Sequence, residues 1–204
     1  MLIMNNKKNK PTKERIMDAA EEIMLEKGFH SVGLNQILTA VKVPKGSFYH
    51  YFKSKDDFGV ELLKHYLMRT TARKREMLLA GEFESDPVRR LFDYLDGGLA
   101  YIQKIEGKFP CLVLKMASEV TGLSESMQKE LAKGFEDWIE IFQNVFDEAI
   151  EKKLLHGNLD TRSEAEMIQD LWSGATQRAV INRNSEPVRQ AVDRIKSRVN
   201  SLMI

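Results

Sequence analysis

Residues 34 to 55 read Leu34-Asn-Gln-Ile-Leu-Thr-Ala-Val-Lys-Val-Pro-Lys-Gly-Ser-Phe-Tyr-His-Tyr-Phe-Lys-Ser-Lys55, and this stretch decides the fold. Leu34, Ile37, Leu38 and Val41 recur at helical spacing and make one apolar face. Gly33 or Ser31 can cap its start, and Pro44 prevents simple continuation. In the following segment Phe48, Tyr51 and Phe52 stand at i, i+3 and i+4 and are expected to point inward. Two short amphipathic segments joined by a tight connection, ending in lysines and aromatics, are the sequence form of a helix-turn-helix.

With the aromatics inward, Lys45, Gly46, Tyr49 and His50 turn to the opposite face, with Ser47 among them. Gly46 permits close backbone approach, while Lys45, Tyr49 and His50 offer a charge, a hydroxyl and an imidazole to phosphates or base edges. Tyr51 reads as core, and His50 reads equally as contact or as packing. Lys53 and Lys55 follow, and Ser54 and Asp57 are spaced as a capping box that starts another helix. A helix N-terminus beside Lys55 is a phosphate anchor. The expected DNA-facing set is therefore Lys45, Gly46, Ser47, Tyr49, His50 and Lys55. An ordinary helical hairpin with a solvated basic face is the competing reading, and the agreement of turn, inward aromatics and outward basics in one register weighs against it.

These residues resemble the TetR family of transcriptional regulators. The likeness runs from Thr12 to Tyr66: Thr12-Lys-Glu-Arg-Ile-Met-Asp-Ala-Ala20, then Glu26-Lys-Gly-Phe29, then Val43-Pro-Lys-Gly-Ser-Phe-Tyr-His-Tyr-Phe-Lys-Ser-Lys55. The resemblance implies an all-α chain of nine or ten helices, with an N-terminal three-helix DNA-binding domain at residues 1–54. Residues 55–204 would form a larger helical domain that binds a small molecule, dimerises and releases a palindromic operator. Pro44 stands where many relatives carry a capping serine, a departure that a helix's first turn tolerates.

Composition agrees. The chain of 204 residues is 43% apolar and 30% charged, which suits a globular protein with one or two cores. No run approaches a membrane span, Met1-Leu-Ile-Met4 is too short for a signal segment, and the expected location is the cytoplasm. A single cysteine excludes an internal disulfide framework. The net charge of +1 hides an asymmetry, since residues 1–60 carry +3 and the remainder −2. Lys7, Lys8, Lys10 and Lys13 make a basic arm, which either lies along a DNA backbone or has no role.

The rest reads as helices, without repeat or strand pattern. Thr12 is expected to cap a first helix ended by Gly28, and a long helix to run from Lys55 to about Ala80. Asp86-Pro87 starts a helix to about Lys104 with the kink-prone pair Gly97-Gly98 inside it. Ser124 opens a helix to about Lys153, and Asp160 and Ser185 open the last two. The stripes of those two, Ala165, Ile168, Leu171, Trp172, Ala175 and Ala179 and then Val188, Ala191, Val192, Ile195, Val199 and Leu202, read either as a dimer interface or as the protomer's own core.

An effector site is expected among the middle helices. Phe92, Leu95, Phe109, Met116, Phe135, Trp138 and Trp172 supply walls, joined by Leu99, Met127 and Phe142, if the glycine pair opens a cavity. Each alone reads better as packing. Cys111 is the sharper feature. Pro110 suits a first helical position, which would place Cys111 in the first turn with Lys115 one turn on and Lys108 nearby, and so favour a thiolate. The Cys111–Ser124 segment, with the run from Val43, also resembles the N-ethylmaleimide reductase regulator type within the family. That likeness implies a cysteine at this position that senses electrophiles. The alternatives are an inert Cys111 beside a reversible aromatic or hydrophobic inducer of efflux or catabolic genes, an architectural DNA-binding protein, or a cysteine enzyme. The last is disfavoured, because His30, His50, His65 and His156 are scattered and no phosphate loop, dinucleotide fingerprint or metal-ligand cluster occurs. No cofactor and no metal are expected.

Overall fold

The computed structural model describes residues 11–80, 84–105, 108–120, 122 and 124–204, so the arm lysines 7, 8 and 10 lie outside the described residues. Among the described residues there are nine α-helices and no strand. They are α1 (Thr12–Lys27), α2 (Leu34–Val41), α3 (Lys45–Tyr51), α4 (Lys55–Leu79), α5 (Pro87–Lys104), α6 (Leu112–Val120), α7 (Glu125–Glu151), α8 (Thr161–Asn182) and α9 (Glu186–Asn200). None of them is long and apolar enough to cross a membrane.

Polar side chains cap the starts of α4, α5, α7 and α8. Asp86 accepts the amides of Val88 and Arg89 ahead of Pro87, Ser124 Oγ accepts the amide of Met127, and Asp160 accepts that of Ser163. At α4 the amide of Asp57 donates to Ser54 Oγ at 3.0 Å, while the Asp57 carboxylate reaches back to the amide of Lys53 at 2.8 Å, one residue beyond an ordinary capping box. Two expected caps differ. Pro11, not Thr12, flanks α1, and Pro44 stands just before α3 rather than in its first turn. A proline there costs no hydrogen bond, because the first amides of a helix have no partner within it.

The chain forms two compact units, Met1–Leu67 with Cys111–Leu131, and Met68–Pro110 with Ala132–Ile204. The head expected at residues 1–54 falls in the first unit, which also takes the first half of α4, all of α6 and the start of α7. The core of this unit is Ile16, Ala20, Met24, Val32, Ile37, Phe48, Phe52, Phe58, Leu62 and Leu63, each at most 1% exposed. α6 docks on the α1–α2 connection. Gly28 ends α1 with φ +84°, a conformation that strains any other residue, and the Glu119 carboxylate lies where a Cβ would stand. Glu119 also accepts the amide of His30 at 3.2 Å, and its carbonyl meets His30 Nε2 at 3.1 Å.

In the second unit Arg90 is 5% exposed and donates to the Leu78 carbonyl at the end of α4, to the Glu84 carbonyl and to Glu148. α9 packs on α8 and α5, and its Val188, Val192, Ile195 and Val199 are at most 2% exposed within the single chain. The apolar stripe of α9 thus closes the protomer's own core.

Candidate DNA-binding head and effector site

Helix α3 carries the face expected to meet DNA. Phe48 and Phe52 are 1% and 0% exposed and pack against Phe58, with ring centroids 4.9–5.3 Å apart. This aromatic trio fixes the rotation of the helix. Lys45, Gly46, Tyr49 and His50 are exposed as a result, Tyr49 by 55%, and Ser47 is half-buried. A Cβ built on Gly46 would meet nothing within 4 Å among the described residues, so no packing among them demands glycine there.

Tyr51 corrects the inward reading, being 37% exposed with its ring edge-on to His50. The helix ends at Tyr51, and Phe52 has extended backbone with φ −134° and ψ 125°. The i, i+3, i+4 register therefore stops one residue early, and it is the extended step that swings Phe52 inward while leaving Tyr51 outside. Lys55 is exposed, with Nζ 5.0 Å from the Phe29 ring centre and 3.5 Å from the His30 carbonyl oxygen. Lys13, counted with the basic arm, sits inside α1 and pairs with Glu61 at 2.8 Å, an interaction that holds the Glu61 carboxyl below its usual range.

The residues expected around an effector fall in both units. Cys111, Lys115 and Met116 belong to the first, while Phe92, Leu95, Phe109, Phe135, Trp138 and Trp172 belong to the second. Helix α6 begins at Leu112, and the amide of Lys115 donates to the Cys111 carbonyl at 3.1 Å. Cys111 is thus the flanking residue before the helix rather than part of its first turn, and it is half-buried. A reason for the shift is visible in Tyr66 of α4, which hydrogen-bonds both the Cys111 thiol and the Leu112 backbone and so caps the helix start. Burial, and after it the neighbouring Cys111 sulfur, push the Tyr66 phenol far above its usual range, with the Leu112 backbone opposing. Tyr66 is 6% exposed and remains a protonated donor beside the sulfur. This partner could not be found in the sequence, because it stands 45 positions away on another helix.

The aromatic side chains of the second unit are largely spent on packing. The Trp172 ring lies where a Cβ on Gly98 would stand, at 2.5 Å, so the space beside the glycine pair is filled by an indole and α5 runs unbroken through it. Trp138 donates from Nε1 to Thr71 Oγ1 at 3.0 Å and meets Phe135 edge-on. Lys74, only 8% exposed, places Nζ 4.6 Å from the Trp138 ring centre, 4.4 Å from Phe142 and 5.5 Å from Tyr94. Such a desolvated cation–aromatic cluster contributes about 2 kcal/mol. Sequence reasoning missed Lys74, since a lysine in a long charged helix reads as solvated. Lys196 Nζ stands 5.4 Å from the Phe92 ring, and Leu95 is fully buried. Among the described residues no three His, Cys, Asp or Glu side chains are grouped to hold a metal ion.

A helical chain whose helix-turn-helix leaves Lys45, Tyr49 and His50 exposed on the outer face of its second helix belongs to the class of helix-turn-helix regulators. Comparison with known proteins makes the assignment narrower. Residues 16–62 match the family described as bacterial regulatory proteins, tetR family, and residues 87–195 match the tetracyclin repressor-like C-terminal domain. The HTH-type transcriptional repressor NemR of Escherichia coli strain K12 is 32% identical over 95% of this chain and 96% of its own length. The HTH-type transcriptional repressor DhaR of Mycobacterium sp. strain GP1 is 32% identical over 88% of each chain. The crystal structure of reduced E. coli NemR superposes with a TM-score of 0.85, covering 91% of this chain and 95% of that one. The chain belongs to the TetR family of transcriptional regulators, and its relatives are regulators rather than enzymes.

Proposed function

We propose that this protein is a dimeric repressor that binds a palindromic operator through α3 and is released by a small-molecule inducer, with electrophiles acting at Cys111. The observation that carries the DNA-binding half is the exposed Lys45–Gly46–Tyr49–His50 face, with open space at Gly46. A glycine inside a helix costs about 1 kcal/mol relative to alanine. No packing among the described residues repays that cost, whereas close approach to a phosphate backbone would. Gly46→Ala should therefore leave thermal stability unchanged or raised and still weaken operator binding. Equal affinity of the two proteins in mobility shifts on the chain's own upstream DNA would remove Gly46 from the interface.

Support for dimerisation comes from the exposed side of the last two helices, where a groove of about 630 Å³ is lined by Met167, Leu171, Gly174 and Ala191 with Asp170, Arg178 and Arg194. Apolar ground flanked by both signs of charge suits a self-complementary two-fold contact, and two heads so joined read two half-sites a helical turn apart.

Support for sensing comes from Cys111 at the start of α6, with the Tyr66 hydroxyl at its sulfur and Glu119 at the other end holding the α1–α2 connection. A phenol that donates to sulfur favours the thiolate, as does the positive end of a helix. Addition to a quinone or maleimide forms a carbon–sulfur bond, breaks the alkene π bond and takes a proton at the adjacent carbon. The adduct crowds the start of α6, and the displacement reaches the head through Glu119 and His30. The argument is a two-state one, in which the adduct fits only the non-binding form.

Cys111→Ser should keep operator affinity and lose release by maleimide. Tyr66→Phe should slow alkylation by roughly 3- to 10-fold, the worth of one hydrogen bond near 1 kcal/mol. Iodoacetamide labelling across pH is the direct measurement. A midpoint at or above the free-thiol value of about 8.5, or a Cys111→Ser protein still released by the same electrophiles, would leave a reversible inducer as the better reading.

A further inference from the structure

We propose that a second cavity, at the end of α8 where the chain turns into α9, is a binding site for a small organic carboxylate. The cavity has a volume of about 460 Å³, within the range of small-molecule sites. None of the aromatic residues expected to wall an effector site lines it.

Three observations point to an anion. Thr176 lines the cavity and is 0% exposed, and its hydroxyl is the one buried side-chain polar atom without a hydrogen-bond partner among the described residues. A buried unpaired donor is costly, and a ligand oxygen would supply the partner it lacks. Among the described residues of the lining Lys108 and Arg183 carry the charge and no carboxylate joins them, which gives that lining a positive character. Two of the carbonyls at the end of α8 are already engaged, Ala179 accepting from the amide of Asn184 at 3.1 Å and Val180 from that of Arg183 at 3.3 Å. Arg183 is held in the left-handed conformation, φ 52°, as the cap of α8, which fixes its backbone at the rim.

The remaining lining sorts by chemistry. Gln103 and Ser185 add polar groups, whereas Ile102, Pro110 and Val180 form an apolar wall. The site thus suits a carboxylate bound to Lys108 and Arg183, hydrogen-bonded by Thr176, with a short apolar tail on the wall. Occupancy is independent of the repressor reading. Any effect of occupancy on operator binding rests on it.

The test is calorimetric titration of the full chain with hexanoate and benzoate, and with hexanamide and benzamide as neutral counterparts. At least one carboxylate should bind saturably, and its amide at least about tenfold more weakly, as expected for loss of charge-assisted bonds. Lys108→Gln and Arg183→Gln should each weaken the carboxylate by a similar factor. Thr176→Val should weaken it several-fold and, by removing the orphan hydroxyl, raise the melting temperature of the free protein by about 2–4 °C. No saturable binding at millimolar ligand, equal binding of acid and amide, or binding indifferent to both charge substitutions would overturn the site. Mobility shifts run alongside separate the two readings. A carboxylate that binds without altering operator affinity leaves the site standing as one with no effector role, and a free protein that binds no operator counts against the repressor alone.

Discussion

Tyr49→Ala and Lys45→Ala are each expected to lower operator affinity by a factor on the order of 30 to 25,000, because one lost phosphate or base contact is worth about 1–3 kcal/mol and a dimer loses two. The two variants differ in kind. A lysine that neutralises phosphate contributes to counterion release, so Lys45→Ala also flattens the dependence of affinity on salt by about one unit per protomer. Tyr49, a hydroxyl on an aromatic ring, changes the affinity while leaving that slope in place. Neither substitution threatens the fold, since both side chains are exposed and the rotation of α3 is set by Phe48, Phe52 and Phe58. Fluorescence anisotropy against an operator duplex at several salt concentrations measures both effects. Unchanged affinity in a folded, dimeric variant would show that α3 does not carry the reading face.

Gly174→Arg is expected to dissociate the dimer and to abolish operator binding with it. Gly174 is exposed in the middle of α8, and a Cβ there meets nothing within 4 Å, so the protomer accommodates a side chain and gains helix propensity. In a two-fold contact through the α8–α9 groove the same position is met twice. The added side chain would enter a lining that already holds Asp170, Arg178 and Arg194, and burying its bulk and charge at two copies of a close contact is expected to raise the dimer dissociation constant by several orders of magnitude. This substitution is a cleaner probe than removal of residues after Asn184. Such a truncation strips Val188, Val192, Ile195 and Val199 from the protomer's own core and unfolds what it is meant to separate. A Gly174→Arg protein that sediments as a stable dimer would place the interface on another face.

The helices were legible because their signals are local. Asp86, Ser124 and Asp160 cap as their positions require, and Pro87 follows its cap. The outward set Lys45, Gly46, Tyr49 and His50 followed from one assumption, that Phe48 faces the core. The same reasoning misplaced Tyr51, because helical register predicts direction only while the helix lasts, and α3 ends there. For the last helices the apolar stripe had two readings. Periodicity reports that a face is buried without reporting against what, and in α9 that face meets α5 and α8.

The effector region separates the two kinds of information most sharply. By itself the sequence determined the all-helical fold, the helix-turn-helix, the charge asymmetry and a lone cysteine beside a helix start, since each depends on residues within a turn or two of one another. Tertiary structure alone decided that Trp172 fills the space at Gly98, that Trp138 and Phe142 surround Lys74, that Tyr66 reaches Cys111, and that Thr176 is buried beside Lys108 and Arg183 without a partner. These pairings join side chains tens of positions apart, and many aromatic and aliphatic residues compete for each space. Which of them arrives is fixed by the close packing of whole helices, a global condition that no local pattern encodes.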